Sequence, residues 1–478
     1  MIGKKDLKRI KDNSSKLFEI SKSVKILRYL AWDKSVRFTF FNLKSEKIPK
    51  VEYPKFNFGD IRENLKNIKA LFGDTPYDKW LEKKANDILS SIDLLQLSGT
   101  KQFFKKSEQI YGSPSFVLRD GKTSTLELAK KFESLIDSHL EYFSESLQVN
   151  TIPIQNVKTK IEERVKPIFG IISPKVIIED QLSARATASS KRIRLRKSAS
   201  FSSKDIEQLI NHEAFIHVAT TLNGKQQKNI KILGAKTGAV TKTQEGLAVF
   251  SEFITGCIDV NRMYRISDRV IAIQMAIDGA DFIDVYRFFL KRNGKTKQQA
   301  FEDARRVFRG GVVTGGAPFT KDMVYLDGLI RVHNFFRSAI LRGKKNAIEI
   351  LFSGKVDLED VPILLKMKKD GLIQKPIFLP EWVTDMNYLV SYFVFSNFVG
   401  KMDYDSIDNY YDSLFMLDCP AGWVEYRKKW PYDKSHHWDR CDFLKHGKLI
   451  PKIFTDIDQP GGSDVNAGLL LISPNKKE

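Results

Sequence analysis

The sequence predicts an α+β fold, rich in helix, with a small sheet set beside a histidine-bearing helix. Three observations lead there. Through the first 150 residues apolar side chains recur at helical spacing, as at Leu128, Ala129, Phe132, Leu135, Ile136, Leu140 and Phe143. Two short segments, 175–180 (KVIIED) and 191–197 (KRIRLRK), then interrupt that period. Helical periodicity returns after Ser202 and runs to about residue 420, broken by the glycine-rich residues 309–316.

Each element has a local cause. Residues 48–58, with Pro49, Pro54 and several aromatics, read as an extended connector. Segment 175–180 is β-branched and short, hence a strand. In segment 191–197 Arg192, Arg194 and Arg196 point one way while Ile193 and Leu195 point the other. That is a half-buried strand with a basic outer face, expected at a sheet edge where a peptide backbone can add. Arg194, central in that face, is then a candidate substrate contact; a charge-protected edge strand is the equal alternative. Ser202 and Asp205 have the spacing of a capping box with Asp in place of Glu. Ile206, Leu209, Ile210, Phe215 and Val218 continue that helix, and Asn223-Gly224 reads as its stop. A loop leads to a second helix, expected to be capped by Thr243, with Glu245 in its first turn and Gly256 near its end.

Composition bounds the class. The 478 residues are 42% hydrophobic with 33 Phe, which excludes extensive disorder. The organisation expected is an N-terminal helical region over 1–150, a main domain over 151–420 and an extension over 421–478. A net charge of +20 favours anionic partners without choosing among them. Cys257, Cys419 and Cys441 are too few for a disulfide framework and fit a reducing compartment. The N-terminus has no apolar secretory core, and the longest apolar run, 388–399, is interrupted by Ser391, Ser396 and Asn397. A cytoplasmic protein without membrane spans is expected. No finger, helix-turn-helix or RNA-recognition pattern supports nucleic acid as partner, and Gly310-Gly311 and Gly315-Gly316 lack the GK[ST] of a phosphate loop.

The chemistry-bearing motif lies on the capped helix: His212-Glu213-Ala214-Phe215-Ile216-His217. The histidines stand five positions apart, with four residues between them. In a regular α-helix that offset turns the two rings about 140° apart, too far to share an ion. A shared metal therefore demands a π-bulge there; without one these are two unrelated helix histidines. A hydrolytic zinc site needs a third protein ligand and one open position. Glu245, 28 residues after His217, is the candidate, with Glu252 as a rival. Gly246 is expected to let this second helix pack closely on the first. Glu213 has the position of a general base for an attacking water. The polar segment 305–328 adds Arg306, Arg309, Lys321 and Tyr325. Lys321 and Arg309 are candidates for a substrate carboxylate, and Tyr325 for an oxyanion donor.

Three motifs in order, HExxxH, QEGLA (244–248) and GGxPFTKDxVYLxG (315–328), together with SEQIYGSP (107–114) and LNGxxQ (222–227), carry a resemblance. Over roughly residues 15–415 the chain resembles the microtubule-associated tyrosine carboxypeptidase family. The resemblance implies a zincin-like fold, one zinc ion on His212, His217 and Glu245, Glu213 as catalytic base, and removal of a C-terminal residue from a protein or peptide. A terminal tyrosine on an acidic tubulin-like tail is the substrate it suggests. The alternative is a non-catalytic regulator, or a microtubule- or nucleic-acid-binding module acting through its basic surface. His436, His437, Cys441 and His446 do not have structural-zinc spacing. His333, two turns beyond Tyr325, reads as an ordinary buried histidine.

Overall fold

Folding of the central region starts from helices that must cover one another's apolar faces. The computed structural model describes residues 2–137, 151–180, 182, 185–292, 295–403 and 407. The chain divides into two units, Met1–Phe393 and Val394–Glu478, and His212, Glu245 and their neighbours lie in the first. The histidine and cysteine cluster at 436–446 and the extension 421–478 lie outside the described residues.

Helices α1 (Lys4–Ser21), α2 (Pro76–Gln96) and α3 (Lys101–Tyr111) supply the N-terminal layer. Thr75 caps α2 by accepting from the Asp78 amide, with Pro76 at the position that needs no amide donor. Leu17, Leu81 and Ile92 share one core with Leu247, Phe250 and Phe336. The connector 48–58 has no regular structure. Its Tyr53 hydroxyl accepts from Trp32 Nε1 at 2.9 Å and from the Gly310 amide at 2.7 Å, which pins it to the glycine-rich loop.

Helix α4 (Ile154–Phe169) leads to three strands, β1 (Lys175–Glu179), β2 (Ala186–Ala188) and β3 (Arg192–Arg196). The alternation in β3 is as its sequence requires: Ile193 and Leu195 are buried and Arg192 is exposed. Its place in the sheet is not. The order is β1-β3-β2, with β3 parallel to β1 and antiparallel to β2. The arginine strand is therefore central and has no free edge for a substrate backbone. The edge beside the histidine helix is β2, which packs against it.

That helix is a continuous stack of α5 (Ser203–Leu209), a π-helix (Ile210–Val218) and α6 (Ala219–Gln226). Ser202 and Asp205 form the reciprocal capping box. One face of the π-helix, through Ile210, Ala214, Phe215 and Val218, packs on the sheet and α4; Ile216 faces the other core. Asn223-Gly224 does not end the helix, which runs on to Gln226. The Asn223 amide group instead donates to the carbonyls of Phe352 and Phe378 and accepts from the amides of Ile377 and Phe378. Four bonds to a fully buried side chain outweigh a turn preference.

Helix α7 (Thr241–Ile254) begins two residues before Thr243, after Val240. Thr243 is not its cap; its hydroxyl donates to Asp357 and accepts from the Leu358 amide. Glu245 thus stands beyond the first turn. Helices α8 (Val260–Ile277) and α9 (Lys297–Phe308), a 3-10 turn (Thr320–Met323) and α10 (Val324–Leu341) complete the surroundings. Gly246 lies against α10, not against the histidine helix: a Cβ there would stand 2.3 Å from the Gly328 carbonyl oxygen. The apolar run at 388–399 is the helix Asn387–Val399. Among the described residues no helix is long and apolar enough to cross a membrane.

Gly246→Ala forces α7 and α10 apart. It is expected to destabilise the protein by about 1–3 kcal/mol or more, the range for overpacking a tight core. Urea unfolding measures this; an unchanged midpoint would show that the two backbones are not in contact.

Candidate metal centre and the cationic group beside it

The π-helix solves the geometry that the five-residue spacing poses. Its wider turn brings the two rings to one side, 4.9 Å apart between centroids and nearly perpendicular. His212 Nε2 lies 3.6 Å, and His217 Nε2 3.5 Å, from the same oxygen, Glu245 Oε2. Ligand atoms of the three residues all lie within 4.8 Å of one another. These separations exceed hydrogen bonds. They approach the edge of about 3.3 Å that a tetrahedral ion with ligands at about 2.0–2.1 Å requires. Two imidazole nitrogens and a carboxylate oxygen are also the donor chemistry of such a site, so the residues present fit a metal ion.

Glu252 is not a rival ligand. Its Oε1 stands 2.6 Å from His212 Nδ1, on the side of the ring away from Glu245. Arg262 grips the same carboxylate from two nitrogens at 2.9 Å each, and Gln208 Nε2 donates to it at 3.0 Å. Burial alone would push Glu252 up, yet Arg262 and His212 hold it at about 2. The carboxylate thereby keeps the Nδ1 proton and leaves Nε2 as the ligand atom, the usual outer support of a metal-bound histidine.

Charge around the centre calls for a cation. Burial lifts Glu213 above the usual carboxylate range, and nearby Glu245 adds to that. Burial also opposes a proton on either imidazole. Glu245 and Glu252 nevertheless raise His212 to about 10, while His217 falls to about 3. Glu245, despite its burial, is held well down by the two rings.

Beside the centre lies a crowd of cations around Tyr325. Lys321 Nζ is 5.1 Å, the Arg269 guanidinium 5.0 Å and the Arg262 guanidinium 6.0 Å from the centre of the Tyr325 ring. Arg306 pairs with Asp322, and Lys321 Nζ lies 3.5 Å from the same carboxylate. Arg309 stacks on Phe319 at 5.7 Å. Burial, then the neighbouring Arg306, draws Arg309 down to about 10 and lowers Arg269 as well. Burial opposes ionisation of Tyr325, but Lys321 and Arg306 more than offset it and lower the phenol. A buried excess of positive charge beside an acidified hydroxyl has the chemistry that suits an anion.

The structure thus brings His212, His217 and Glu245 together, and places Lys321, Arg309, Arg306 and Tyr325 in one adjoining group. Arg194 is elsewhere in the fold, on β3, 3.8 Å from Glu179. His333 packs on Phe250 and Phe393. Sequence reasoning missed Arg262 and Arg269. Their spacing with Arg265, at i, i+3 and i+7 of one helix, was a signal that they share a face.

A family model described as microtubule-associated tyrosine carboxypeptidase matches residues 38–401, the greater part of the chain and all of this site. The chain belongs to that family. No curated protein sequence matches it. Membership in the tyrosine carboxypeptidase family makes the chain a member of a peptidase family and gives the two adjoining groups a common context.

Glu252→Gln removes the charge that fixes His212. Metal affinity, measured by chelator competition, is expected to fall about 10- to 100-fold, the usual cost of losing such a support. Wild-type affinity in this variant would mean that packing alone holds the ring.

Proposed function

We propose that this chain is a zinc-dependent carboxypeptidase that removes the last residue of a peptide or protein. The observation that carries the reading is the adjacency of two receptors. Three metal-ligand side chains converge across a π-helix, and an unbalanced cationic group around Tyr325 lies next to them. Lys321 joins the two, since its charge acts on both Glu245 and Tyr325. An endopeptidase has no use for a buried cation cluster beside its metal, whereas a carboxypeptidase must hold a free carboxylate there.

A zinc ion held by His212, His217 and Glu245 would act as Lewis acid toward the scissile carbonyl and the attacking water. Glu213 is the base. Its raised affinity for a proton lets it take one from water as the new oxygen–carbon bond forms. It returns that proton to the amide nitrogen as the carbon–nitrogen bond breaks, so the terminal amino acid leaves as an amine. Tyr325, its hydroxyl acidified by Lys321 and Arg306, donates to the developing oxyanion. Arg269 and Arg309 hold the terminal carboxylate, with Arg306 anchored to Asp322 behind them. The family name points to tyrosine as the residue released and to a microtubule-borne substrate. An acidic tail suits both that name and the chain's charge of +20.

Elemental analysis is the first test. Wild type is expected to carry one zinc per chain and His217→Ala none. Glu213→Gln is expected to keep its zinc and lose about a hundred- to ten-thousand-fold in turnover. A zinc-free wild type that added metal does not activate would refute the proposal. A second test uses peptides ending in tyrosine, with the C-terminus free or amidated. Only the free acid should be cut, and Arg269→Met should raise KM by about tenfold or more, as expected for a lost charge-assisted contact. Equal cleavage of the amide would assign the same centre to an endopeptidase.

A further inference from the structure

A helix that returns from i→i+5 to i→i+4 bonding has one carbonyl more than it has amides at the junction. Here the junction is Val218–Ala219, and side chains supply donors just before it. Thr220 Oγ1 lies 2.6 Å from the Ile216 carbonyl oxygen, and Thr221 Oγ1 donates to the His217 carbonyl at 2.7 Å. The third donor comes from far along the chain. Lys355 Nζ lies 3.0 Å from the His217 carbonyl oxygen, 2.9 Å from Thr220 Oγ1 and 3.0 Å from Gln244 Oε1.

We propose that Lys355 is a positioning residue of the metal centre: its ammonium latches the end of the π-helix to α7 and so sets where His217 stands relative to Glu245. The inference rests on the metal-dependent reading given above. One acceptor of the ammonium belongs to a metal ligand itself, and another belongs to Gln244, the neighbour of a second ligand. The three acceptors match the three donors that Nζ carries when charged, so every direction of the ammonium has a partner. Its origin is fixed as well. The Lys355 amide donates to the Leu233 carbonyl at 2.6 Å, and Gly354 permits that approach, because a Cβ there would stand 2.4 Å from the same oxygen. Lys355 is only 7% exposed. Its hydrogen bonds go to the His217 main chain, Thr220 and Gln244, and its charge also acts on Glu213 and Glu245.

The test compares wild type, Lys355→Met and Thr220→Val. Methionine keeps an unbranched stem, one atom shorter than that of lysine, and removes all three donors. Zinc affinity is read by chelator competition, and ligand geometry by the visible spectrum of the cobalt-substituted protein. Lys355→Met is expected to lose affinity about 10- to 100-fold and to shift the cobalt bands. Thr220→Val, which cuts one strand of the same bridge, should move both readouts the same way by less. A lysine that merely fills the core would lower the unfolding midpoint and leave affinity and spectrum untouched, and that outcome overturns the inference. Should Lys355→Met fail to fold by circular dichroism, Thr220→Val decides, with wild-type affinity and spectrum counting against the bridge. Wild type without metal would remove the functional reading and this inference together. Metal in wild type with unchanged variants would remove this inference alone.

Discussion

The five-residue interval between His212 and His217 is the constraint on which the rest of the site depends. A regular α-helix cannot present both rings to one ion. The chain meets the constraint with nine residues of π-helix, a geometry less favourable than the α-helix and rarely found without an external hold. The hold comes from both sides: the sheet and α4 press on Ala214 and Phe215, while Ile216 is seated in the core built by α1, α2 and α7. The ligand geometry is therefore a product of tertiary packing and not of the motif alone.

Electrostatics follow from that arrangement. Three carboxylates, Glu213, Glu245 and Glu252, gather about two histidines in a buried volume. Arg262 answers Glu252 at short range, and its guanidinium also lies 6.0 Å from the centre of the Tyr325 ring. The same arginine thus borders both the negative half of the site and the positive one. Lys321, Arg269 and Arg309 make up the positive half, and among the described residues Asp322 is the carboxylate that pairs with Lys321 and with the neighbouring Arg306. Under the proposed function, a substrate end with a carbonyl to be attacked and a carboxylate beyond it matches that polarity.

Legibility in the sequence varied with the range of the forces. The capping box at Ser202 and the alternation in β3 are local effects, and both could be read directly. The π-helix could be inferred because two chemistries, helix and shared metal, were incompatible at that spacing otherwise. Strand order could not, since alternation reports burial and not neighbours; an arginine face looked like an edge and proved to be the centre of the sheet. Asn223-Gly224 has turn chemistry, but partners more than a hundred residues away override it. Arg262 and Arg269 belong to no motif, and it is the fold that sets their guanidinium groups against the Tyr325 ring of α10. Lys355 belongs to no motif, because its role depends on three acceptors that only the fold assembles.

The contact between Gly246 and Gly328 has a consequence for precision. Glu245 precedes one of these glycines, and Tyr325 stands less than one turn before the other. With no side chain between the two backbones, the gap from Glu245 to Tyr325 is set by main-chain contact, the stiffest gauge a protein has. A methyl group at either glycine would act as a shim. It would widen the gap between Glu245 and Tyr325 by a fraction of an ångström while both side chains kept their identity, so the motif's glycines serve as calibration marks for the proposed site.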